Sequence, residues 1–385
     1  MNIGFICSEY PPASHGGIGS VTQILGRALA TRGHKVRVIG VYPSTVTAPE
    51  YQDDQGVQVR RLTMGGARLG WVAARYELYR EVAAWAKEGS IDLLEVPDWE
   101  GWVAGWPKLP VPVIARLHGS SCYFAAELQN PSKRRTFWIE RAALRRSDYW
   151  CSVSRYTAEK TRELFALENG PGTVIYNAVD LPAQISPVPR VRGDVVFSGT
   201  LTAKKGIVSL VKAWPLVKKQ CPEAKLHIYG KDTTDPAKPA MRDILSKMLP
   251  DGDRESVIFH GHVGREMVLA HLRQARVAVF PSHAEAFAMA PLEAMSQGCP
   301  TVYSDKGSGP EVIEDGKDGL LVDPTNSDDI ARLIVRVLHD DSLAEQLGTA
   351  GCKKIERSFS TGHIVPRNEA FYADCLNRFH QGSRN

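Results

Sequence analysis

Pro281-Ser282-His283-Ala284-Glu285-Ala286-Phe287-Ala288-Met289-Ala290-Pro291-Leu292-Glu293 is the stretch from which the rest of the chain is read. Before it, Val277-Ala278-Val279-Phe280 has the apolar run of a short buried strand, which Pro281-Ser282 ends. After it, Pro291 to Met295 predicts the first turns of a helix that stops at Gly298, before Pro300. One carboxylate, Glu285, thus falls in a loop and the other, Glu293, in a first helical turn. That placement suits a nucleotide sugar. A first-turn carboxylate can accept hydrogen bonds from two neighbouring ribose hydroxyls, and backbone N–H groups of Phe287, Ala288, Met289 and Ala290 can face a diphosphate at the positive helix end. Glu285 would then lie on the sugar side. The same acids, taken alone, read as a helix-start acid and a solvated loop charge.

The surrounding text weighs against that simpler reading. Pro281-Ser282, the Glu-x7-Glu pattern, Glu293-Ala294-Met295 with Gly298-Cys299-Pro300, Pro310-Glu311-Val312-Ile313 and Asp315-Gly316-Lys317-Asp318-Gly319-Leu320-Leu321-Val322 together resemble the retaining glycosyltransferases of the GT-B fold, family 4-like. The resemblance implies an α/β chain of two Rossmann-like domains facing across a cleft, with a C-terminal helix crossing back to the first. It implies transfer of a hexose from a nucleoside diphosphate sugar, UDP-sugars foremost, to an acceptor hydroxyl with retention of configuration. Glu285 is then expected to orient the sugar and Glu293 the ribose. No cofactor or metal is implied, and Asp328-Asp329 has the form of a helix start. One departure stands out: the family commonly writes the loop Glu-Gly-Phe-Gly, where this chain has Ala286 and Ala288. A glycine needed there for positive φ would leave Ala288 strained.

Length allows two domains of ordinary size, and a composition 43% hydrophobic and 23% charged is that of a globular protein, which excludes disorder as the default. A net charge of +4 gives no reason to expect a nucleic-acid partner. The seven cysteines are scattered, odd in number and never spaced C-x-x-C, which argues against a disulfide framework or a structural zinc site. Met1 to Cys7 reads as a first strand rather than a signal peptide, and no window reaches the roughly 18 apolar residues of a spanning helix. A cytoplasmic protein is expected, free or peripheral at the inner membrane face.

The predicted first domain covers 1–180. Ile3 to Cys7, a loop through Gly16 and Gly17, a helix closing at Gly33 and a strand Val36 to Val41 form a βαβ opening. Gly17-Ile18-Gly19 lacks the third glycine of a dinucleotide fingerprint, Thr22 standing there, and no acid ends the second strand, so a dehydrogenase is discounted. What remains is a glycine loop at a helix start; the resemblance implies that Gly16 and Gly17 face the donor phosphate, and the alternative is a tight turn needed for packing. Gln58 to Met64 and Ile91 to Val96 read as strands, Leu69 to Lys87 as a helix. Trp99, with Trp102 and Trp106, follows a strand end; tryptophan faces suit sugar rings, so Trp99 is an acceptor candidate against a packing reading. Val111 to Leu117 is a further strand, ending in His118-Gly119, which the resemblance sets beside the transferred sugar. Lys133 to Arg146 predicts a basic amphipathic helix, either a solvated face or a peripheral membrane contact.

Leu181 to Asp194 carries three prolines and no periodicity, so 181–194 reads as a linker, with a second domain over 195–363 and a returning helix over 364–385. Ser198-Gly199-Thr200-Leu201-Thr202-Ala203-Lys204-Lys205-Gly206 is the second chemical stretch. A lysine beside a glycine turn before a helix can reach a diphosphate and stabilise the leaving group, and by resemblance that lysine is Lys205. Gly199 and Thr200 fall in the same donor loop. Thr200 stands where the family often has arginine; Lys204 or a residue near Gly230-Lys231-Asp232 are the candidate substitutes. By resemblance, backbone around Val263 borders the base. His260 and His262 hint at a metal, but no further ligand spacing supports it. The acceptor stays open among sugar, lipid-linked and small-metabolite hydroxyls. Two other readings are a nucleotide-sugar epimerase of the same shape and a catalytically weak nucleotide-sugar-binding subunit.

Overall fold

The computed structural model describes residues 1–13, 16–66, 70–167, 172–182, 189–232 and 239–382, and the chain divides into two compact units. The first begins β1 (Asn2–Ile6), α1 (Gly17–Thr31), β2 (Lys35–Pro43), β3 (Tyr51–Asp54), β4 (Val57–Met64) and α2 (Gly70–Lys87). It continues with β5 (Leu93–Pro97), β6 (Val113–Leu117), α3 (Ser121–Glu127), α4 (Arg134–Arg146), β7 (Tyr149–Ser152), α5 (Arg155–Phe165) and β8 (Thr173–Val174). The second unit opens with β9 (Asp194–Ser198), α6 (Ile207–Gln220), β10 (Lys225–Tyr229), α7 (Met241–Met248), β11 (Val257–Gly261) and α8 (Arg265–Gln274). There follow β12 (Val277–Phe280), α9 (Met289–Ser296), β13 (Thr301–Ser304), α10 (Gly309–Val312), β14 (Leu320–Val322), α11 (Ser327–His339) and α12 (Asp341–Ser358). The last helix, α13 (Thr361–Gly382), belongs to the first unit.

The first sheet runs β3-β4-β2-β1-β5-β6-β7-β8, parallel apart from the antiparallel β3–β4 pair. Parallel strands are covered on both faces, which is why these segments read as nearly continuous apolar runs. Alternation sorts the faces. Ile3 and Phe5 pack with Leu25 and Leu29 of α1 and with Val365 and Tyr372 of α13, whereas Ile6 packs with Leu78 and Val82 of α2. The last helix is also tied by polar groups. Arg116 on β6 makes a two-pronged bond to Glu95 on β5 at 2.7 and 2.8 Å, and donates to Asn368 at 2.6 Å. Tyr372 donates to Glu95 at 2.7 Å, so every member of this buried group has a partner.

The second sheet, β11-β10-β9-β12-β13-β14, is parallel throughout. Trp214 of α6 and Ile330, Ile334 and Val337 of α11 fill its core against Val195, Phe197 and Val279. In each unit the strand order reverses once, between β1 and β5 in the first and between β9 and β12 in the second. Loops leaving the carboxyl ends of strands at such a reversal diverge and leave a crevice for ligands. The expected linker is shorter than predicted at its far end: Val191 N–H donates to the Gln274 carbonyl at 2.8 Å and Asp194 already starts β9. Its residues 183–188 lie outside the described residues.

Candidate functional site

The reversal in the second sheet brings together the two stretches singled out in sequence. After β9 the chain passes Gly199 and Thr200 into a 3₁₀ turn, Ala203–Lys205, which Gly206 closes in the left-handed region at φ +75°. A Cβ on Gly206 would lie 1.7 Å from the carbonyl oxygen of Pro281, so this turn and the loop after β12 can touch only because position 206 is glycine. His283 N–H donates to the Lys204 carbonyl at 2.8 Å, adding a backbone tie between the same loops. Lys205 Nζ then meets Glu285 Oε1 at 2.5 Å. The Glu285 side chain is 8% exposed and that of Lys205 is 29% exposed, so the acid is held inside and the base is on the accessible side. Lys204 also lies in Glu285's field; burial lowers its pKa, with Glu285 pulling the other way.

Ala288 carries no strain. It is the N-cap of α9 with extended backbone, φ −77° and ψ 137°, so the position needs no glycine. Helix α9 begins at Met289, two residues before the predicted start, because a proline is tolerated within a first turn where its missing N–H has no intrahelical acceptor. Glu293 consequently sits in the second turn rather than the first. Met289 and Ala290 supply the opening N–H groups, and Phe287 packs inward on Phe359 at 5.8 Å between ring centroids. Glu293 accepts from Arg265 Nε at 2.6 Å. Burial pushes the Glu293 carboxyl above its usual range while the Arg265 charge pulls it back, and that carboxylate holds Arg265 firmly protonated. Arg265 opens α8 just after Val263, and no motif in the sequence marked it. Thr200 is exposed, and its carbonyl accepts from Thr202 N–H at 2.8 Å. Asp232 caps α7, accepting from Met241 N–H at 3.0 Å.

In the first unit the loops after β1, β5 and β6 carry the remaining expected residues. Gly16 is the N-cap of α1 and Gly17 its first residue. The Glu9 carboxylate lies against them, accepting from Gly19 N–H at 2.8 Å, so it occupies part of the helix start that sequence reasoning reserved for phosphate. Asp98, buried after β5, accepts from the backbone N–H groups of His118 at 2.9 Å and Gly119 at 3.2 Å. It therefore sets the loop that presents His118. Burial pushes the Asp98 carboxyl up to about 7. His118 is lowered to about 3 by burial and by the Arg116 charge, so its imidazole is neutral at physiological pH and acts as a hydrogen-bonding group. Asp98 had no sequence signal beyond its place at a strand end. Trp102 and Trp106 are buried core residues, whereas Trp99 is 42% exposed.

The basic helix is partly engaged within its own unit. Arg141 Nε donates to the Phe165 carbonyl at 3.1 Å and Arg146 Nε to that of Trp106 at 2.8 Å, while Trp138 stays 60% exposed. Among the described residues no helix is long and apolar enough to cross a membrane. His262 is exposed and apart from His260, which faces two other histidines instead.

Two Rossmann-like units built on parallel sheets, each with a strand reversal whose diverging loops leave a crevice, give the GT-B fold. Residues 15–182 match the family described as Glycosyltransferase Family 4, and residues 184–354 match Glycosyl transferases group 1. A glycogen synthase of Mycobacterium tuberculosis is 26% identical over 400 residues, covering 97% of this chain and 94% of the relative. Sucrose-phosphate synthase from Thermosynechococcus elongatus superposes with a TM-score of 0.81 at 22% identity, covering 98% of this chain and 99% of the other. The Anabaena protein Alr3699/HepE, solved with UDP and glucose, gives 0.72 at 16% identity, covering 97% and 99%. The chain is a glycosyltransferase, its first half matching Glycosyltransferase Family 4 and its second half the group 1 family, and its activity is sugar transfer from a nucleotide sugar.

Proposed function

We propose that this enzyme transfers a hexose from a UDP-sugar to an acceptor hydroxyl with retention of configuration. The observation that carries the reading is the Lys205–Glu285 contact at the strand reversal of the second unit. In the proposed reaction the bond from sugar C1 to the diphosphate oxygen breaks and the acceptor oxygen bonds to C1 on the same face. The acceptor proton passes to the departing phosphate oxygen, so the step balances without a protein base. Lys205 supplies positive charge to the leaving diphosphate, joined by the Met289 and Ala290 N–H groups at the start of α9. Glu285 exchanges part of its contact with Lys205 for a sugar hydroxyl, and Glu293 offers an oxygen to the ribose while Arg265 holds the other. His118, in the first unit, is offered as a neutral hydrogen-bonding group for a sugar hydroxyl. UDP is favoured because a similar fold binds UDP with glucose, and a sugar polymer is among the acceptors because a relative is a glycogen synthase.

Release of nucleoside diphosphate from UDP-, GDP- and ADP-hexoses tests the donor, and proton NMR of the product's anomeric signal tests the stereochemistry. Turnover with a UDP-hexose and an unchanged anomeric configuration is expected. Turnover confined to another base overturns the UDP assignment, and an inverted product overturns retention.

A further inference from the structure

Away from the Lys205–Glu285 pair, the second unit gathers three histidines that no sequence motif links: His227 on β10, His260 on β11 and His271 on α8. One ring nitrogen from each lies within 4.8 Å of the other two. His227 Nδ1 faces His260 Nε2 at 3.0 Å, close to the separation of about 3.3 Å that two nitrogens adopt on a tetrahedral ion with bonds of about 2.0–2.1 Å. Behind them stands Asp194, with Oδ2 3.2 Å from His271 Nε2 and Oδ1 3.6 Å from His227 Nε2.

The contacts around the cluster are compatible with the tautomers of a ligand set. Asp194 accepts from His271 Nε2 at 3.2 Å, which turns the His271 lone pair outward at Nδ1, and it faces His227 Nε2 at 3.6 Å, beyond hydrogen-bond distance. His260 Nε2–H then satisfies His227, and the Tyr229 hydroxyl, 2.6 Å away, satisfies His271. Tyr229 also stacks on the His260 ring at 4.2 Å between centroids, which fixes its plane. A metal ion replaces the single proton held between His227 and His260 and takes the His271 Nδ1 lone pair from the Tyr229 hydroxyl, leaving the carboxylate behind them in place. It also strengthens a weak point: His227 Nε2 is buried without a hydrogen bond, and metallation at Nδ1 makes its N–H a better donor to Asp194.

We propose that His227, His260 and His271 bind one divalent transition-metal ion of the zinc, cobalt or nickel class, with Asp194 orienting the ligands from outside. An all-imidazole set favours these ions over magnesium or calcium, which take oxygen ligands. The site clamps α8 and edge strand β11 to β10, and it stands independently of the donor assignment.

The test is titration of the chelator-treated full-length protein with Co²⁺ alone, followed by its visible ligand-field absorption and by calorimetry. One equivalent is expected, displaced by one equivalent of Zn²⁺, with a rise in melting temperature. Because His260 is exposed, His260→Ala is expected to keep the fold by circular dichroism and lose stoichiometric binding. Asp194→Asn is expected to weaken binding by about 10–100-fold. His262→Ala and His363→Ala, at exposed histidines outside the cluster, are expected to bind as the parent does. Absence of a saturable cobalt spectrum, or a spectrum that survives His260→Ala, overturns the proposal.

Discussion

Lys205 Nζ and Glu285 Oε1, 2.5 Å apart, join two loops whose residues are 80 positions apart in the chain. Because the acid is buried and the base is accessible, the two substitutions have unequal effects. Lys205→Met removes the cation in direct contact with a buried carboxylate and is expected to cost about 1–3 kcal/mol, read as a shift in urea midpoint. Adding Glu285→Gln to that variant should recover part of the loss. A double variant that sums the two single losses would show that the contact contributes nothing to stability.

Gly206 holds this geometry open. Alanine there meets both a positive φ and the Pro281 carbonyl, whereas alanine at Gly316, with φ +74° and nothing within 4 Å, meets only the first. Gly316→Ala should cost about 1–2 kcal/mol. Gly206→Ala should cost more and should also reduce transfer activity, because relief of the clash moves Lys205. Thermal melts and rate measurements on the pair check both statements, and equal losses would refute the role of the close approach.

Glu293 is expected to act on donor binding more than on chemistry, since a ribose contact is made equally before and during transfer. Loss of a charged hydrogen bond of about 1.5–3 kcal/mol predicts a rise in donor KM of about 10–100-fold for Glu293→Gln, with kcat changed less. A fall in kcat with KM unchanged would remove Glu293 from the ribose.

The sequence made the fold legible because its strands are buried on both faces and its helices have clear stops. Glu285 stands out in the sequence because it follows a strand end within the Glu-x7-Glu pattern, and Lys205 and His118 because the family resemblance implies them. Partners do not stand out. Arg265, Glu9 and Asp98 reach their contacts through the sheet's three-dimensional order, which spacing along the chain does not reveal. The same holds for His227 and His271, which join His260 from different elements while His262, its near neighbour in sequence, stays apart. Helix α9 starts two residues before Pro291, the position that proline preference for a first helical residue predicts, because a proline also fits further into a first turn. The missed strand β3 is a short antiparallel edge segment, Tyr51–Asp54, with little apolar content to announce it.

The His118 loop predicts a pH dependence in two opposing parts. His118 has a folded pKa of about 3, below its ordinary 6.5, so the unfolded chain binds the extra proton and stability falls as pH drops through that window. Asp98, at about 7 against an ordinary 3.8, takes its proton in the folded state first, so its contribution is lost as pH rises from about 4 to 7. The two largely offset one another between pH 4 and 6.5. Asp98→Asn removes the second, and its stability should therefore fall more steeply than that of the parent as pH is lowered from 6.5 to 4. Parallel pH profiles from urea unfolding would contradict the assignment.

The central claim is that the Lys205–Glu285 pair serves the departing diphosphate and the sugar. Its most direct test is kcat for nucleoside diphosphate release at saturating UDP-hexose, measured for the parent, Lys205→Ala and Glu285→Gln with folding verified by circular dichroism. The account predicts a loss of about 100-fold or more in each variant. An unchanged kcat in either folded variant would contradict it.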